Sequence, residues 1–311
     1  MISRSTLIAA LVVVELAIVG LSANALGIGH ALPAPAPIAF TPSFPGAPAS
    51  GTTTPLDRTF MTGPSPSVQV DIPGIDVTVE TGNVLTVHVI ETITRRGWVS
   101  GKPVPLTAEQ TPEGIRVRAA GTGGVFAIFG AYSHTLRIIV PPAARVELAT
   151  ESNIEASGLR AKLIAHTSDG WIHVRDHHGD LDVNTDDGRI ELVDVAGAAI
   201  DAVAHDGRIY MTRVGADRLV AHSDSGRIVG TGVRAVDGGL TTRDGRILVE
   251  FTTSSDATAQ VHTDDGEIRV SGFSSQEAGS NRRTVTLGEG RGHFEISTGD
   301  GPITITQGAN G

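Results

Sequence analysis

Thr185-Asp186-Asp187-Gly188-Arg189-Ile190-Glu191-Leu192 belongs to a phrase that recurs through the second half of the chain. Its other copies are Asp169-Gly170-Trp171-Ile172, Asp206-Gly207-Arg208-Ile209, Ser225-Gly226-Arg227-Ile228, Asp244-Gly245-Arg246-Ile247, Asp265-Gly266-Glu267-Ile268 and Asp300-Gly301-Pro302-Ile303. Successive glycines lie 18, 19, 19, 19, 21 and 35 residues apart. A near-fixed period of this length marks a solenoid.

Aligned on the glycine, the copies resolve into two strands. Two residues after it stand Ile172, Ile190, Ile209, Ile228, Ile247, Ile268 and Ile303; two further on stand Val174, Leu192, Met211, Gly230, Val249, Val270 and Ile305. Five residues before it stand Ala165, Val183, Ala202, Ala221, Leu240, Val261 and Ile296. Both runs alternate with period 2, the pattern of a strand with one buried face. The expected fold is therefore all-β: a parallel β-solenoid, or β-helix, with two main strands per ~19-residue coil.

One coil cannot close a core, so its apolar face is buried only by the next coil, about 4.8 Å away. The glycine is expected to supply a positive φ at the corner, and Asn153, shortly before Ile154, to stand in for it in the first full coil. Three residues before the glycine, Thr167, Thr185, Ala204, Ser223, Thr242, Thr263 and Thr298 are small or hydroxylated, suited to satisfying turn backbone from inside.

The chain has 311 residues with 38 Gly, 16 Pro and no Cys, a composition unlike that of a helical globule. The formal charge of −10, without a lysine or arginine cluster, excludes both nucleic acid and an anionic membrane surface as expected partners.

Residues 1–29 read as a signal peptide or transmembrane anchor. Arg4 precedes the apolar run Leu7–Leu21, and Ala23-Asn24-Ala25 offers a peptidase site. Glu15 would cost ~3 kcal/mol near a bilayer centre, but the run's ten Leu, Ile and Val residues offset it. A retained anchor is slightly favoured over cleavage, making the membrane a partner through this segment. Residues 30–67 hold nine prolines from Ala31 to Ser67 and read as a disordered, extended linker. Residues 68–149 read as β-strands that start or cap the stack, and residues 150–307 as the repeats. Within the cap, Gly121–Tyr132 (GTGGVFAIFGAY) reads as a loop packed over it, with a contact surface or phosphate-binding turn as alternatives. Near the far end, roughly Gly272 to Arg283 reads as a polar excursion.

The corner acids Asp169, Asp186, Asp187, Asp206, Asp224, Asp244, Asp264 and Asp265 should line one edge. Such ladders can hold Ca²⁺, but Arg189, Arg208, Arg227 and Arg246 follow the glycines, and surface ion pairs are the expectation. His166, His222 and His262 share one repeat position too widely spaced to share an ion; His177 and His178 with Asp176 form the one local set, read by default as exposed turn residues. No catalytic, cofactor or metal residue is assigned. The chain lacks Gly-x-Ser-x-Gly, His-Glu-x-x-His, a phosphate loop and a cysteine nucleophile.

Leu136-Arg-Ile-Ile-Val-Pro-Pro, a Val146-Glu-Leu148 strand, Gly158-Leu159 and the Thr-Ser-Asp-Gly-x-Ile phrases together resemble the bacterial "putative adhesin" domains of unknown function. The resemblance covers about Val68 to Gln307. It implies an exported, often single-pass protein with a β-solenoid, and no catalytic residues. The expected role is non-enzymatic display at the cell envelope, binding a protein or glycan. The alternatives are a β-helix enzyme acting on polysaccharide, for which Asp206 and Arg208 are the residues to test, and a self-assembling structural subunit.

Overall fold

The computed structural model describes residues 50–308. The proposed signal or anchor helix, and the linker before Ser50, fall outside them. The described residues are all β-strand and turn, without a helix, so none contains a helix long and apolar enough to cross a membrane.

The repeat stacks as its period requires. Ile154 pairs in parallel with Ile172, Ile172 with Ile190, Ile190 with Ile209, Ile209 with Ile228, and Ile228 with Ile247. All six are fully buried, forming one side of the interior, the isoleucine face. Opposite runs the threonine face, where Leu148, Ala165, Val183, Ala202, Ala221 and Leu240 align across Arg145–Thr150, Leu163–Thr167, Leu181–Thr185 and the strands that follow. Burying a Leu- or Ile-sized side chain contributes about 1.5–3 kcal/mol, but only while both neighbouring coils are present.

At the Asp-Gly corner the hydroxyls of the threonine face turn inward and link each coil to another. Thr167 Oγ1 donates to Ser152 O (2.6 Å), Thr185 to Gly170 O (3.1 Å), Ser223 to Gly207 O (3.0 Å), Thr242 to Gly226 O (2.9 Å) and Thr298 to Gly245 O (2.9 Å). Ala204 leaves one rung without a hydroxyl.

The corner glycines serve a different purpose from the expected one. None of Gly170, Gly188, Gly207, Gly226, Gly245, Gly266 and Gly301 has positive φ. Their need is for space: a Cβ on Gly226 would drive into Gly207 O and Ser223 Oγ, and one on Gly245 into Gly226 O and Thr242 Oγ1. A side chain here would separate the coils. Positive φ occurs instead at the return corner, four residues beyond each isoleucine, at Gly158 (78°), Asp176 (48°), Asp194 (55°), Arg213 (52°) and Gly232 (66°). Nor does Asn153 replace the glycine. Ser152 occupies that position, while Asn153 Nδ2 donates to Asp76 and its Oδ1 accepts from Trp171 N.

Chain order and spatial order part company at both ends. Val68 and Val70 pair in parallel with Ile115 and Val117 on one side and with Val146 and Leu148 on the other. Val77 and Val79 likewise lie between Leu136/Ile138 and Ile154/Ala156. The first coil is thus tucked beneath a later one. At the other end Ile303 sits between Ile247 and Ile268, and Ile296 between Leu240 and Val261, so the coil of residues 292–307 is inserted between two earlier coils. Phe294, fully buried, lies beside Gly238 and meets Phe251 edge-on, centroids 5.7 Å apart. Glycine on one coil makes room for an aromatic ring on the next.

Antiparallel ribbons close the stack. Residues 86–111 run against 114–140 as one long hairpin: Thr86–Lys102 pairs with Gly124–Val140, and Leu106–Thr111 with Gly114–Ala119. Gly51–Thr53 and Asp57–Met61 lie outside Thr86–Lys102. Strand therefore begins at Gly51, inside the stretch read as linker, because an open edge recruits Thr52 and Thr53 despite nearby prolines. Ser67–Asp71 and Asp76–Thr81 start the stack, so the first full coil comes before residue 150. Gly121–Tyr132 is largely strand and not a loop. The polar excursion is a cap: Arg282–Leu287 pairs antiparallel with Ala257–Asp265, and Ser274–Glu277 pairs with Arg282–Leu287. Antiparallel edges and short charged strands are the usual ways to terminate a sheet.

Candidate functional site

The most regular exposed surface is the Asp-Gly corner. The coils of Gly188, Gly207 and Gly245 each carry an exposed aspartate before the glycine (Asp187, Asp206, Asp244) and an exposed arginine after it (Arg189, Arg208, Arg246); Asp169 extends the first row and Arg227 the second, while Trp171 and Ser225 interrupt them. Parallel register puts like over like, as Arg189 on Arg208. The result is an arginine row and an aspartate row on either side of a row of glycines. Shallow grooves of about 420 Å³ and 330 Å³ follow it, the first flanked by Asp187, Arg189, Asp206 and Arg208, the second by Arg227, Asp244 and Arg246.

The expected ion pairing along this edge does not form. Among the described residues no row arginine lies in a salt bridge with a corner acid. Asp224 pairs with Arg243 (2.8 Å), Asp186 with His205 (3.4 Å) and Asp264 with His262 (2.9 Å). Arg227 donates to the Tyr210 hydroxyl (2.6 Å) and lies 5.5 Å from its ring centroid. The turn at glycine splays its two flanking side chains, and stacking then repeats the separation in every coil. Among the described residues no group of three or more His, Asp or Glu side chains could hold a metal ion.

The local histidine set also separates. His178 is exposed and pairs with Asp176 at 3.3 Å. His177 points the opposite way, as strand alternation demands, and is fully buried rather than an exposed turn residue. It lies beside Val195 in the column continued by Val214. Its Nε2 is 3.3 Å from Asp180 O, its Nδ1 has no partner, and burial holds its pKa below the ordinary value. On the threonine face Asp201 lies in register with Asp182. Burial, reinforced by Asp182, raises its pKa against the opposing pull of Arg218 and His222.

Two features of the long hairpin were not assigned from sequence. His134 Nε2 meets Glu91 Oε1 at 2.7 Å, with both side chains almost fully buried. Two strands, Leu106–Thr111 and Gly114–Ala119, separate them in chain order, so no local spacing announces the pair. Beyond them the hairpin continues through residues 94–105 and 120–133, an arch presenting Phe126 (54% exposed) and Phe129 (75%). The signal available was two phenylalanines in a glycine-rich run, and a contact surface was the alternative reading.

The family model described as Toastrack DUF4097 matches residues 69–306. The chain belongs to this family. The Toastrack match starts in one tucked coil and ends in the other, so the family unit takes in both. The resemblance to adhesin-like domains of unknown function is thereby shown. Similar solved structures are described as a putative adhesin from Parabacteroides merdae (12% identity, 83% of this chain and 96% of that one, TM-score 0.46), a putative adhesin from Bacteroides fragilis (10%, 84% and 98%, 0.39) and a putative cell adhesion protein from Clostridium sporogenes (10%, 82% and 100%, 0.29). No curated protein matches.

Proposed function

We propose that the chain is an exported, non-enzymatic envelope protein that displays the Asp-Gly corner to a protein or glycan partner, held to the membrane by its N-terminal segment. The observation that carries this reading is the pair of unneutralised charge rows on a rigid stack. Arg189, Arg208 and Arg246 make no side-chain ion pair within the described structure, so their guanidinium groups remain available for bidentate recognition of carboxylate or sulfate. Repetition every coil suits an extended partner better than a small molecule. A catalytic site would break the repeat at one place, whereas here Asp and Arg recur.

The test is a protein and glycan screen on the full chain, repeated on the Arg208→Glu/Arg246→Glu variant. Both side chains are exposed, so the fold tolerates the change. A loss of capture of at least about ten-fold is expected for an anionic partner, since each charge-assisted contact is worth about 1.5–3 kcal/mol. Capture unchanged in the variant removes the corner from the proposal. Glycan turnover abolished by Asp206→Asn and Arg208→Ala would replace display with enzymatic action.

A further inference from the structure

We infer that the arch of residues 94–105 and 120–133 is a lipid contact that seats the stack against an anionic membrane surface. Three independent observations converge on it. The first is exposed aromatic area on paired strands: Trp98 lies opposite Phe129, and Ser100 opposite Phe126, with both phenylalanines more than half exposed. Aromatic rings of this kind are favoured at the membrane interface.

The second is charge. The protein carries a net −10, yet the arch contains Arg95, Arg96 and Lys102 and not one Asp or Glu. Glu91, just below it, is occupied by His134. Glu151 lines the cavity at the base of the arch with Lys102 and Tyr132, and the arch keeps a net positive charge beside its aromatic rings, complementing a bilayer's anionic headgroups, which attract each nearby Lys or Arg by ~1 kcal/mol.

The third is where the chain enters. Gly51 pairs antiparallel with Arg95, and Gly97 N donates to Ser50 Oγ (3.5 Å), so the first described residues lie against the arch. The apolar run Leu7–Leu21 lies within fifty residues upstream. A tether through that run keeps the arch near the bilayer, where its aromatic and cationic side chains add a contact of their own. The inference rests on the membrane-tethered reading above, but display at the corner survives if the arch proves not to meet lipid.

Since the chain has no cysteine, a single introduced thiol reports without background. Ala127→Cys, exposed between the two phenylalanines, carries an environment-sensitive fluorophore. Ser275→Cys, on the cap at the opposite end, is the control. The full chain is reconstituted in phosphatidylcholine vesicles with or without phosphatidylglycerol, with a nitroxide on the lipid headgroup as quencher. The expected result is quenching at position 127 and not at 275, stronger with phosphatidylglycerol. It should fall at least about five-fold when Arg95, Arg96 and Lys102 are neutralised together, and fall again in Phe126→Ser/Phe129→Ser. Equal quenching at 127 and 275, or failure of the chain to associate with vesicles, overturns the inference. So does a fluorophore already shielded without lipid, which would mean that residues before Ser50 or a second copy cover the arch.

Discussion

The middle of the stack and its two ends obey opposite rules. Between Arg145 and Phe251 the chain lays equivalent residues on one another in parallel register, so every choice is copied upward. For isoleucine, threonine and glycine this is favourable. For charge it is not: Arg189 lies on Arg208, and Asp182 on Asp201. The ends abandon copying. Their antiparallel ribbons bring unlike residues together, as in Glu91 with His134 and Glu277 with Arg283. Repetition builds length, and departure from repetition stops it.

The sharpest way to break this contrast is at glycine. Gly226→Ala forces a Cβ into the neighbouring coil's backbone and is expected to cost more than about 4 kcal/mol or to prevent folding, measured by chemical denaturation. Gly124→Ala, in the terminal ribbon with open space around it, should be near neutral. Comparable losses at both would mean that coil spacing does not set the glycine requirement. Next comes the end's own chemistry. Glu91→Ala leaves the buried His134 Nε2 without its partner and should cost about 1–3 kcal/mol, with hydrogen exchange accelerating at the ribbon before the central coils. Uniform acceleration would show that end and middle unfold as one.

The smallest effect tests the middle again. Burial lowers the His177 pKa below its unfolded value of 6.5, so the native state resists a proton that the unfolded chain accepts. Stability from this group is complete above pH 6.5 and declines as pH falls through that value toward the folded pKa. His177→Val should therefore raise Tm modestly at neutral pH, with the gap to wild type widening on acidification to pH 5. A gap that stays constant would contradict the burial argument.

Much of the middle was legible in the sequence because period and pattern suffice there. Ile190 could pack only against its counterparts, and Thr185 had no other inward partner than a turn carbonyl. The glycines were located correctly but explained by φ, since sequence does not show how closely a neighbouring backbone approaches. The tucks were hidden for a related reason: Ile303 repeats the phrase of Ile268, and a repeat states what stacks without stating which copy lies next. The corner arginines and aspartates were placed on the right edge, but their pairing depended on side-chain directions at the turn. The Glu91–His134 pair and the arch come from antiparallel pairing over dozens of residues, which leaves no periodic trace.

The inserted coil of residues 292–307 also bears on how the molecule is made. During vectorial synthesis residues 257–271 emerge first, carrying the same apolar phrase, and can dock directly on residues 237–251, in the berth that the later coil will occupy. Wherever that docking comes first, the early tenant has to slide outward by one layer before the native register of residues 292–307 can form. A slow refolding phase, accelerated when residues 257–271 are weakened and abolished when the later coil is supplied in advance, is the kinetic imprint such an exchange would leave.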